Sequence, residues 1–312
     1  MNRNTTLDYL RGVAITSIVV GHLFFYSNRA DGSILWNICN SLQIPIFIYV
    51  SGLLANKSIQ KYDFIEFLKK RIFRLIIPFI SFFLLWLIKR GITIENIITF
   101  ITDEFKQGFW FLIVLFELTF IHSFNHFVSK KHNTNRIVLD IFAFIIINTY
   151  HFLGKDFEIF NQLFCLNLLW HYYPLFLVGV YSEKIHKLFT IRLSSLYFII
   201  YAISFYLLFF KGVHFMLAIC NTSSLFFLVA IFNNEYKIAE SAFTKAGQYS
   251  LEIYLLHILI IDIIMDYIPI FENRWIEAIV YIPLAGTICY MFIRFASILK
   301  KSKVVNLLLF GG

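Results

Sequence analysis

Charge is what this chain has least of. Only 15% of its 312 residues are Asp, Glu, Lys or Arg, whereas a soluble domain carries about 25% to build its solvated shell. That shortage excludes an ordinary soluble fold. Linkers are missing too. The 5 prolines and 13 glycines are thinly spread, and no Gly/Ser/Pro-rich stretch interrupts the chain, so the two soluble domains that length alone suggests are not expected. The four cysteines, Cys39, Cys165, Cys220 and Cys289, lie in apolar runs without CxxC or CxxH spacing. Neither a zinc site nor a disulfide framework is indicated, and they read as small buried residues. No small-residue cleavage site follows the first apolar run, which therefore reads as a true span and not as a signal peptide. Strict apolar–polar alternation is also lacking in runs such as Ile141–Ile147, which argues against a membrane β-barrel.

What is present is apolar: 59% hydrophobic residues, with 38 Phe and 17 Tyr, and a mean hydropathy of +0.73. A helix needs about 20 such residues to cross the hydrocarbon of a bilayer. Candidate spans are 12–28, 35–54, 72–91, 109–128, 137–153, 162–182, 190–210, 212–232, 250–268 and 276–297. The net charge of +8 does not point to nucleic acid, because the basic residues fall in short clusters between the apolar runs, as topology signals and headgroup contacts do. With the N-terminus in the cytoplasm, 20 of the 27 Lys and Arg residues fall in inside segments and 7 outside. Losing one span would invert every later loop. The expectation is an all-α polytopic transmembrane bundle of about ten spans with both termini cytoplasmic. It forms one integral membrane domain over 1–312, with no separate soluble domain.

Ionisable groups inside a bilayer are expensive, so each is a functional hypothesis. Asp8 and Arg11 are i,i+3 neighbours able to pair. Arg11 and His22 lie nearly on one helix face, about 16 Å apart along the axis. His22 admits two readings: a buried imidazole bonded to a carbonyl, or a reactive base. In the second span Asn37, Asn40, Ser41 and Gln43 precede Pro45, which should free backbone carbonyls. They read either as helix–helix glue or as a polar pocket open to the outer side. Gly52 permits a close backbone approach. Arg71 and Arg74 are i,i+3 and so are expected to share a face, and guanidinium forks grip phosphates; the bland alternative is a positive-inside signal.

Taken in order, Asp8-x-x-Arg11-Gly12 with Gly21-His22, Pro45-x-Phe47 with Ser51-Gly52, and Arg71-x-x-Arg74 with Pro78 carry a resemblance. So do Trp110-Phe111-Leu112, Tyr173-Pro174-Leu175-Phe176 with Gly179, and Gly247-x-x-Ser250-Leu251-x-Ile253-Tyr254-Leu255-Leu256-His257. The set resembles the acyltransferase-3 family of bacterial membrane proteins and runs through almost the whole chain. The resemblance implies transfer of acetyl or other acyl groups from acyl-CoA to O-antigen, capsule, exopolysaccharide, peptidoglycan or lipid sugars. It makes His22 the catalytic histidine and Arg71 and Arg74 the pair associated with acyl-CoA. Leu53 departs from it, standing where many members carry an aromatic residue. No further domain is expected after the tenth span.

The residues suit that chemistry. Arg71, Arg74 and Arg11 could hold the phosphates of a cytoplasmic acyl-CoA, acetyl-CoA in the first instance, used as a substrate with no permanently bound cofactor or metal. The pantetheine arm could then run along span one to His22, as general base or as acyl-accepting nucleophile. Glu117, deep in span four, is a second catalytic candidate. Asn37, Asn40, Gln43 and Asp262 are candidates for the acceptor sugar, with Asp266 beside them. His122 and His126, at i,i+4, read as interfacial and not as metal ligands. His257 is split between packing and catalytic support. The expected partners are the lipid bilayer, acyl-CoA and a lipid-linked or surface carbohydrate in the cytoplasmic (inner) membrane of a bacterium, with no nucleic acid. The rival function is a flippase or exporter of a lipid-linked saccharide. Internal inverted repeats would favour it, and none is seen.

Overall fold

The computed structural model describes residues 4–29, 34–153, 158–232, 241–265, 267, 271 and 274–312. Among them there are helices and turns and no strand. In chain order the helices are α1 (Thr5–Phe24), α2 (Ile34–Ile59), α3 (Phe64–Arg71), α4 (Ile77–Arg90), α5 (Ile94–Thr102), α6 (Trp110–His132), α7 (Arg136–Leu153) and α8 (Glu158–Phe164). There follow α9 (Leu166–Val180), α10 (Ile191–Lys211), α11 (Met216–Phe232), α12 (Ala242–Gln248), α13 (Ser250–Met265), α14 (Arg274–Leu299) and α15 (Lys303–Phe310).

The chain is a multi-pass membrane protein. Seven helical stretches among the described residues are long and apolar enough to cross a bilayer, and nine do so if the bent pairs α8–α9 and α12–α13 each form one span. α11, at 17 residues, is a shorter apolar helix. All ten expected spans fall on these elements, but the expected count exceeds the nine by that one short helix. Span three begins earlier than hydropathy suggests. The Asp63 carboxylate accepts the Glu66 amide N–H at 2.7 Å and caps α3, so the helix starts eight residues before the apolar run that marks it. A π-turn at Ile72–Ile76 then joins α3 to α4.

Two compact units divide the chain, 1–50 with 182–299 and 51–181 with 300–312. In the first, α1 packs against α12, α13 and α14, and α10 against α11. Gly212, at φ +69°, ends α10. In the second, α3 packs on α6, α7 on α6 and α9, and α15 on α4. Lipid offers helices no hydrophobic force to associate, so small residues and polar contacts must hold them. Helix α7 illustrates the point. Asp140 is its one buried residue, while Ile141, Phe142, Ile145 and Ile146 are exposed, as on a lipid-facing helix. Lys106 is a further polar tie, with its ammonium donating to the carbonyls of Ile101 at 2.6 Å, Asp103 at 2.8 Å and Gln162. Burial pulls its pKa down.

Candidate active site

The first unit builds its site on α1. The Asn4 side chain accepts the Leu7 N–H at 3.2 Å and starts the helix. Asp8, only 3% exposed, pairs with Arg11 at 3.8 Å. Two glycines then fix what crosses here. A Cβ on Gly12 would strike the Phe243 carbonyl, and one on Gly247 the Asp8 carbonyl. The backbones of α1 and α12 therefore touch, which only residues without a Cβ allow. The Arg-Gly step and the distant Gly247 are two halves of one contact.

α1 runs unbroken from Arg11 to His22, so the two stand about 16 Å apart along the axis, as expected. Gly21 lies against the Trp36 indole, where a Cβ would come within 3.0 Å of it. That admits Trp36 to the His22 ring, with centroids 6.0 Å apart. Phe25 and Tyr26, on the π-turn that follows α1, approach the same imidazole at 6.5 and 6.1 Å. π-turns of this kind recur at functional sites.

The closest ring is His257 of α13, at 4.9 Å and 69° to His22. His257 is fully buried, and its Nδ1 lies 3.1 Å from the Ile253 carbonyl and 2.6 Å from that of Tyr254. A carbonyl only accepts, so Nδ1 carries the proton and Nε2 of the neutral ring is bare. That Nε2 and the His22 Nδ1 are both buried without a hydrogen-bond partner. Two imidazoles thus share one aromatic-lined place with a nitrogen apiece uncommitted, and the reading of His257 as packing alone leaves its bare nitrogen unexplained.

Polar groups on the outer half of α2 divide. Ser41 is tied down: its hydroxyl lies 2.9 Å from that of Tyr201, and its carbonyl accepts from Ser224 at 2.7 Å. The latter bond follows from Pro45. Having no N–H, Pro45 leaves the Ser41 carbonyl without its helical partner, and a hydroxyl from α11 supplies one. Gln43 is buried, with Nε2 on the Asn40 Oδ1 at 3.4 Å and Oε1 unpartnered. Asn40 is exposed and Asn37 half-buried. Ser41 is thus a helix–helix contact, while Gln43 keeps a buried oxygen without a hydrogen-bond partner. The Asp262 side chain and all of Asp266 lie outside the described residues.

The second unit carries the remaining candidates. Arg71 ends α3 and Arg74 sits within the π-turn. That corrects the shared-face expectation, because a wider turn opens the angle between i and i+3. Arg74 is exposed and Arg71 half-buried, its guanidinium 4.8 Å over the Phe67 ring. Gly52 meets the Phe176 carbonyl of α9 as the close approach required. Glu117 is half-buried, with Oε2 lacking a hydrogen-bond partner. His122 is fully buried within the protein and lies 3.0 Å from Arg136 Nη2. Arg136 also donates to Asn56 at 3.0 Å and pairs with Asp140 at 3.6 Å. Asp140 accepts from Asn125 at 2.8 Å, Tyr173 at 3.4 Å and Tyr181. Arg136 stands just outside the expected span 137–153, and sequence reasoning missed this network. Its signal was an Arg–Asp pair at i,i+4, with the acid inside an apolar run.

A family model described as an acyltransferase domain matches residues 4–294. Nodulation protein NolL of Mesorhizobium japonicum is 23% identical over 126 residues, which cover 37% of this chain and 34% of that protein. The aligned part is therefore about a third of that relative's length. No solved structure matches the chain.

Proposed function

The chain belongs to the acyltransferase-3 family and is a membrane acyltransferase; on that premise we propose that it moves an acyl group, acetyl in the first instance, from cytoplasmic acyl-CoA to a hydroxyl of a cell-envelope carbohydrate. The observation that carries the assignment of His22 is its uncommitted nitrogen, held among Trp36, Tyr26 and His257. A neutral imidazole takes the proton of an acceptor hydroxyl as its oxygen attacks the thioester carbonyl. The C–O bond forms and the C–S bond breaks. The proton passes from the imidazolium to the departing thiolate, so the ring is neutral again at the end of the cycle. His257, with Nδ1–H committed to two carbonyls, presents a bare Nε2 beside His22 and is assigned as a positioning residue. Arg71, Arg74 and Arg11 are assigned to donor phosphates, Glu117 to catalytic support, and Asn37, Asn40, Gln43 and Asp262 to the acceptor. The cytoplasmic membrane is the compartment this reading requires, because acyl-CoA is made in the cytoplasm.

The test is ester analysis of envelope glycans from cells with and without the chain, then with His22→Gln. Glutamine keeps hydrogen-bonding capacity without a titratable nitrogen. Loss of a general base costs roughly 10²–10⁴-fold in rate, with membrane abundance and melting unchanged. A stable His22→Gln protein that restores the ester in full would defeat the mechanism.

A further inference from the structure

A second site lies wholly within the second unit. The turn joining α2 to α3 and the last turns of α6 border an open cavity of about 720 Å³, within the range of small-molecule sites. Lys61, His126, Lys130 and Lys131 line it, with the Tyr62 and Phe127 rings among its walls. The acidic residue on the lining, Asp63, is committed to capping α3 through the Glu66 N–H. The cavity is therefore basic and aromatic. Phe127 is 43% exposed; its ring packs 5.4 Å from that of Phe64, has the Lys131 ammonium 5.9 Å from its centre, and leaves its remaining surface to the cavity.

A topology signal explains lysines on each loop separately, for it needs only charge near a span end. It does not explain why lysines from two loops converge on one cavity with ring walls. We propose that this pocket receives the 3′-phosphorylated adenosine end of the acyl donor; this rests on reading the donor as acyl-CoA. A phosphate monoester is a compact dianion, matched by ammonium groups acting as point charges. A purine stacks on an exposed aromatic face whatever its hydrogen-bonding pattern. Helix α3 leads from the pocket to Arg71, about 10 Å along its axis at 1.5 Å per residue. The lysines thus take the 3′-phosphate and the arginines the diphosphate, at opposite ends of one short helix. An anionic lipid headgroup shares the phosphate but brings no purine.

Dephospho-CoA, which lacks only the 3′-phosphate, separates these cases. Binding of CoA and of dephospho-CoA to the purified full-length protein in an uncharged detergent is measured by calorimetry. The wild type is expected to prefer CoA roughly tenfold or more, since one or two charge-assisted contacts are at stake. Lys130→Ala with Lys131→Ala should bring the ratio close to one by weakening CoA alone. Both lysines are exposed, and melting of the variant is checked against the wild type. A preference unchanged in the variant, or an equal loss for both ligands, overturns the proposal and leaves acyl-CoA as the donor. Binding of neither ligand to the wild type overturns the donor reading and the pocket together. Wild type that binds both equally, yet loses CoA to added phosphatidylglycerol only while the two lysines are present, assigns the pocket to lipid headgroups.

Discussion

Removing Asp140 should loosen the helix it anchors, and the cost can be bounded. Asp140 is 1% exposed, pairs with Arg136 at 3.6 Å and accepts from Asn125, Tyr173 and Tyr181. Hydrogen bonds between membrane helices average about 0.6 kcal/mol, so the three bonds from uncharged donors account for roughly 2 kcal/mol. The charge decides the rest. Truncating one partner of a buried ion pair costs about 3–5 kcal/mol, because the other charge is left uncompensated. Asp140→Leu should fall in that upper range. Replacing both charges removes the stranded guanidinium, so Arg136→Leu with Asp140→Leu should cost about 2 kcal/mol, less than the single change. Asp140→Asn, which keeps an acceptor oxygen, should lie between. Unfolding in mixed micelles gives the three values, and transfer per folded molecule should hold steady in each. A double variant less stable than Asp140→Leu alone would refute the reasoning, showing that the acid serves packing and not charge compensation.

His257→Gln, whose amide oxygen can accept where Nε2 does, should keep much of the transfer rate and its pH profile. His257→Leu should lose roughly tenfold or more, by analogy with outer-shell partners of reactive imidazoles, and shift the profile; equal activity in both would return His257 to packing. Gly12→Ala or Gly247→Ala should destabilise the first unit by more than the about 1–3 kcal/mol usual for overpacking, because the obstacle is backbone, and detergent melting reads this directly. Reporter fusions after Leu54 and after Ser182 should both report cytoplasm, and a fusion on the outer side would remove the polarity assumed for donor and acceptor.

Helical, membrane-spanning character was legible because in lipid the backbone must satisfy itself and every span must be apolar along its length. Those two facts leave a direct trace in composition. Boundaries were less legible where hydropathy and helix formation part company. The first turns of α3 carry Glu66, Lys69 and Lys70, so apolarity stops short of them, yet the Asp63 cap starts the helix there. The local signal, an acid three residues before another acid at a helix start, is present in the sequence but lies outside the apolar run. Single residues with backbone consequences were legible too: Pro45 predicted a freed carbonyl, and Ser224 supplies its partner.

The site divided along a different line. Relations within one helix survive translation from sequence, because periodicity fixes them: Asp8 with Arg11, and Arg11 with His22 on an unbroken α1. Even that rule failed between Arg71 and Arg74, since a π-turn changes the period without marking the composition. Relations between helices leave no periodic trace at all. His22 and His257 stand on α1 and α13, and nothing in either span announces the other. The rings approach to 4.9 Å where α1 packs directly on α13, and α13 follows α12, whose backbone meets that of α1 at Gly12 and Gly247. On the proposed mechanism the glycines therefore matter as much as the imidazoles do, through position alone. A chain that kept both histidines but filled either glycine should lose the close approach of the two rings.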